Sequence, residues 1–161
     1  MDDLAIARVL HVLAVVIWIG GVAMVTIVIL PTLAAIALPG ERLQAFESLE
    51  RRFAWVARIM TLITGMSGLY LLWKLNLWTR FSDSSFWWMH AMVFVWAIFS
   101  FVLFVAEPLF LHRVFAAHVQ RDPEGAFRRM QIFHWVLLLI SLVTIAGAVA
   151  GAHGYSLFGS S

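Results

Sequence analysis

Residues 86–96 read FWWMHAMVFVW, a stretch whose single titratable side chain is His90. The apolar run continues to Ala106. A helix needs about 20 apolar residues to cross the roughly 30 Å hydrocarbon layer of a bilayer, and residues 86–106 supply them. An imidazole at that depth is costly unless it finds a neighbouring polar group or binds something.

Three more stretches match this one in length and character: residues 4–30, 53–73 and 131–152. Pro31 marks a kink or stop after the first. None alternates polar and apolar residues at period two, and in lipid a backbone without strand partners must satisfy itself as helix. The whole composition agrees. Of 161 residues, 63% are hydrophobic and 12% charged, more apolar surface than a soluble domain of this size can bury. The expected fold is all-α: one integral membrane domain over residues 1–161, a four-helix up-down bundle. Short connections make spans one and three diagonal partners. Residues 38–52, with Leu43, Phe46 and Leu49 at helical spacing among charges, read as a separate short interfacial helix.

Charge sets the expected orientation. Arg42, Arg51 and Arg52 lie between spans one and two, and Arg113, Arg121, Arg128 and Arg129 between three and four. The other side carries Arg8, Lys74 and Arg80. The positive-inside bias places the arginine-rich loops in the cytoplasm and both termini outside, in the periplasm of a bacterial cytoplasmic (inner) membrane. Trp73, Trp78, Trp87 and Trp88 then form an aromatic belt at the outer interface. The opening Met1-Asp2-Asp3 is acidic where a signal peptide is basic, so the first span is expected to stay in the mature protein. With no cysteine, disulfides, thiolate metal sites and covalent c-type haem are excluded. A net charge of +2 without a dense basic block argues against nucleic acid as a partner.

Depth sorts the six histidines. His11 sits near the outer end of span one, and His90 about 6 Å below the outer start of span three at 1.5 Å per residue. His153 follows the outer end of span four. His134 lies toward the inner side, while His112 and His118 belong to the cytoplasmic loop. Span two carries Gly65, Ser67 and Gly68 in its outer half, and span four Gly147 and Gly151. These small residues are either helix-packing seams or room for a flat ring. Facing imidazoles plus such room are what haem requires in a helical bundle. Met89, Met92 and Met66 are packing residues on the simplest reading, although thioethers also bind Cu(I). Glu107, before Pro108, reads either as an ion pair with Arg58 or Arg113 or as part of a proton relay.

Residues 9–33, VLHVLAVVIWIGGVAMVTIVILPTL, resemble the first span of the copper resistance protein D (CopD) superfamily: a histidine near the helix start, then tryptophan and glycines. Residues 50–72, ERRFAWVARIMTLITGMSGLYLL, resemble its second span, and FWWMHAMVFVW its third, with aromatics before His-Ala. The pattern also resembles the haem-dependent membrane protoporphyrinogen oxidase (HemJ) family, with Met92 standing where that family has lysine. The resemblance implies a haem b on His11 and His90. The resulting expectation is a membrane haem b protein in electron transfer near the periplasmic face, exchanging electrons with a quinol, a periplasmic redox partner or a small oxidant. The alternatives are copper handling through His11, His90, Met92 and His153, porphyrinogen oxidation, and a subunit of a larger membrane complex or homo-oligomer.

Overall fold

The computed structural model describes residues 2–36, 39–111 and 122–155. His112, Arg113, His118 and Arg121 lie outside the described residues. Helix α1 (Asp3–Met24) starts where the Asp2 carboxylate accepts from the Leu4 N–H at 3.3 Å. It passes through a π-helical segment, Val25–Ile29, and resumes as α2 (Leu30–Ile36). Pro31 therefore does not end the span. Its missing N–H and its ring are met by one widened turn just before it. Helix α3 (Pro39–Lys74) has 36 residues, roughly 54 Å at 1.5 Å per residue. Helix α4 (Trp87–Phe101) continues as a second π segment, Val102–Leu111, and α5 (Pro123–Ala152) completes the chain. Four of these helical stretches are long and apolar enough to cross a membrane.

Two helix starts differ most from expectation. Residues 39–52 are no separate interfacial helix but the first turns of α3. No proline or glycine interrupts residues 41–64, so nothing breaks the helix, and Phe46 turns inward rather than onto a membrane surface. Phe46 is 2% exposed, packed with Val25, Leu30, Leu33, Phe127 and Met130. Helix α5 begins at Pro123, eight residues before the expected 131, because Asp122 caps it by accepting from the Gly125 N–H at 2.9 Å.

The four spans run up and down. At one end the Asp3 carboxylate accepts from the Tyr70 hydroxyl at 2.6 Å and pairs with Lys74 at 3.5 Å, joining the start of α1 to the end of α3. At the same end the Trp88 ring lies on Gly151, joining the start of α4 to the end of α5. Two tight pairs result, α1 with α3 and α4 with α5, and α1 meets α4 across the bundle where Trp18 stands edge-on to Phe99 at 4.7 Å. Asp83 caps the short 3₁₀ turn Ser84–Phe86, and the Ser85 N–H at 2.8 Å holds its carboxyl below the usual carboxylate value.

The surface is inverted relative to a soluble protein. Val12, Val16, Leu62, Leu69, Phe94, Leu139 and Val143 are exposed, whereas Thr26, Thr61, Thr64, Ser67, Ser141 and Thr144 are buried. Lipid solvates the first set. The second set turns hydroxyls inward, and Thr26, Ser67, Ser141 and Thr144 donate to the carbonyl four residues back at 2.6–2.7 Å.

Arg58 closes a gap in the backbone of the second π segment. In π-helical bonding the Leu103 carbonyl looks for the N–H five residues on, which is Pro108 and has none. The Arg58 Nε–H donates to that carbonyl at 3.0 Å, and the other end of the guanidinium pairs with Glu107 at 3.0 Å. Among the described residues Glu107 pairs with Arg58, one of the two partners expected; Arg113, the other, lies outside them. Arg58→Leu strands a carbonyl and a carboxylate in a largely buried site and should cost about 3 kcal/mol. In a Pro108→Ala background, where an N–H is restored to the helix, the loss should shrink. Unfolding in mixed micelles of the four variants measures both, and equal losses in the two backgrounds would remove the bond to Leu103 from the argument.

Candidate functional site

His11 lies against α3. Its Nδ1 is 3.0 Å from the Thr64 carbonyl and 3.1 Å from the Ser67 Oγ. A carbonyl only accepts, so Nδ1 carries the hydrogen and donates it there. Ser67 sends its own hydrogen to the Ile63 carbonyl at 2.6 Å, which leaves its lone pairs for the same Nδ1–H. Nε2 is then left with its lone pair, the ligating tautomer of a neutral imidazole. Gly68 makes the approach possible, since a Cβ there would stand 3.1 Å from the His11 Cε1.

His90 has different surroundings. The buried stripe of α4 runs through Met89, Val95 and Phe99. His90 is one residue on from Met89, about 100° around the helix. It is exposed, and its ring meets Phe81, in the turn between α3 and α4, edge-on at 5.1 Å. His11 is thus folded onto α3 and His90 is turned toward the turn before its own helix; no bond or ring contact joins them among the described residues. Met92 is half-buried. His153 is exposed at the end of α5, its Nδ1 donating to the Val149 carbonyl at 2.8 Å. Among the described residues, no three His, Cys, Asp or Glu side chains gather into a metal-binding group.

Of the small residues expected to leave room for a ring, Gly65, Gly147 and Gly151 are occupied by indoles, and Gly68 faces His11 itself. Trp96 covers Gly65 and donates its Nε1–H to the Thr61 carbonyl at 3.0 Å. Trp87 sits on Gly147 and Trp88 on Gly151. Both rings are half-buried as knobs of the α4–α5 contact, while Trp73 and Trp78 stay exposed as interface tryptophans do.

Toward the opposite end, the bundle opens into a cavity of about 330 Å³ walled by all four spans. Its lining is apolar except for Trp18, Glu50, Glu107, Arg129 and His134. His134 is half-buried, stands edge-on to Phe46 at 5.7 Å, and its Nδ1 donates to the Met130 carbonyl at 2.9 Å. That hydrogen bond is local, four residues back along its own helix. The buried Trp18 Nε1 has no hydrogen-bond partner among the described residues. The sequence marks Trp18 only as part of the first-span pattern and gives no hint of the cavity, because apolar runs do not show where four helices part.

Filling one of the indole notches tests the packing. Gly147→Leu should expel Trp87 and lower stability by about 1–3 kcal/mol, read as an earlier thermal unfolding transition in detergent. A transition at the wild-type temperature would mean that the ring is not seated there. Comparison with models of known families, with curated proteins and with solved structures finds no match to this chain.

Proposed function

We propose that this chain is a multi-pass protein of a bacterial cytoplasmic membrane, both termini outside, that carries a redox-active metal on His11 as haem b. The orientation rests on arginine: Arg42, Arg51, Arg52, Arg128 and Arg129 lie toward one end, against Arg8, Lys74 and Arg80 toward the other. His11 belongs to the second end, which becomes the periplasmic half.

The observation that carries the reading is the hydrogen bond from His11 Nδ1 to the Thr64 carbonyl, backed by Ser67. Fixing Nδ1 on a carbonyl orients the ring and raises the basicity of Nε2, as second partners of ligating histidines do. The residues fit one histidine ligand. They do not fit a ring clamped between His11 and His90: His90 is exposed, and Trp87, Trp88 and Trp96 occupy the glycine notches. Haem on a single imidazole supplies chemistry at an open coordination position, so the function moves from electron relay toward reaction with a small oxidant. What this chain does is hold the proton on Nδ1, orient the ring and keep the surroundings apolar.

The optical spectrum and metal content of the purified protein test this. Expected are a Soret band of single-histidine type, its loss in His11→Ala with helix content unchanged, and its persistence in His90→Ala. Ser67→Ala, which keeps the Thr64 carbonyl, should weaken haem retention about tenfold. A bis-imidazole spectrum lost equally in His90→Ala would restore the paired ligation. Copper that His11→Ala loses, with no porphyrin, would make this a copper-handling protein, and neither group would make it a structural subunit.

A further inference from the structure

The cavity in the arginine-rich half is independent of His11. Trp18 follows His11 by seven residues, two helical turns, so it lies on the same face of α1 and roughly 10 Å deeper at 1.5 Å per residue. Its indole is 3% exposed, and its Nε1–H, which can only donate, has no partner among the described residues. An unpaired buried donor costs stability, more so in a membrane where water cannot reach it. The other tryptophan that packs into the bundle at this depth, Trp96, has its carbonyl.

The rest of the lining describes what could meet that donor. His134 spends its Nδ1–H on Met130, so its Nε2 can only accept. Glu107 in the wall is neutralised by its pair with Arg58, and Glu50 and Arg129 bring one charge of each sign. The site therefore favours a molecule without net charge. Phe46, Phe53, Phe99 and Leu103 supply flat apolar walls. At about 330 Å³ the space sits at the small end of ligand pockets. We propose that this cavity binds a neutral, lipid-soluble ring compound carrying oxygen: an acceptor oxygen toward the Trp18 N–H and, in the reduced form, a hydroxyl toward His134. That is the chemistry of a quinone and its quinol. Entry is from the lipid phase.

A decyl-substituted benzoquinone and decylbenzene, which has the same tail and ring but no oxygen, are titrated into the purified full-length chain in detergent. The quinone should bind saturably, at one per chain and at least tenfold more tightly than decylbenzene. Trp18→Phe keeps an aromatic ring and removes the N–H. It should weaken quinone binding about tenfold, the worth of one buried hydrogen bond, and leave decylbenzene unchanged. The ligand-free variant should unfold no earlier than wild type, because it loses an unpaired donor. Ala57→Phe, which fills the cavity from α3, should abolish binding of both probes. Equal binding of the two probes would reduce the site to an apolar slot for lipid tails and overturn the proposal. So would a Trp18→Phe protein with full quinone affinity, or a folded Ala57→Phe protein that still binds. Neither variant touches His11, so the haem spectrum reports separately on that reading.

Discussion

Arg58 serves two groups that a hydrocarbon environment cannot leave unattended: the Leu103 carbonyl and the Glu107 carboxylate. Pro108 creates the first need by withholding an N–H, and Glu107, its neighbour in sequence, creates the second. A charge in a membrane helix is tolerated when it faces the bundle and is fully engaged, and this guanidinium is engaged at both edges and lies near the Trp55 ring at 5.4 Å. The contact binds α3 to the widened part of α4. That widening sets the separation of the helices there, and the cavity lies where they part.

At the other end the bundle is held by a different device. Glycines on α3 and α5 receive indoles from α4, so close contact comes from large rings in backbone notches rather than from interdigitated aliphatic chains. Without a hydrophobic drive between helices in lipid, such contact surfaces are what favour association. The two halves therefore differ in kind: one is filled by tryptophan, the other is braced by an ion pair around open space. His11 belongs to the filled half and His134 to the open one.

Much of the fold was legible in the sequence, and the failures have physical causes. Four apolar runs mark four spans, because hydropathy over 20 residues is a strong signal. Their ends near 39 and 123 were missed since those turns are amphipathic; charges on one face hide Phe46 and Phe127 on the other. The Asp122-Pro123-Glu124 start could have been read as a cap. The π segments could not, although Pro31 and Pro108 flag where the backbone needs relief. His90 was read as facing inward, yet when Trp87, Trp88, Met89 and Ala91 surround it, polarity carries no phase and the facing of one ring is undetermined. His11 was recognisable as a placed imidazole, and its partners Thr64 and Ser67 emerged only once α1 lay on α3. An unpaired indole is invisible in sequence, being a property of what fails to come near it.

The length of α3 has a consequence for how the protein rides in its membrane. Lys74 and Arg52 are separated by roughly 33 Å of helix at 1.5 Å per residue, close to one hydrocarbon thickness, and both are exposed. What precedes Arg52 extends the helix beyond that thickness and is clasped by Leu33 and Phe127 through Phe46. The lipid-length part and the clasped part thus belong to one continuous helix. A thicker or thinner bilayer cannot be met by sliding or tilting α3 alone; the whole molecule must lean, or the lipids must stretch around it.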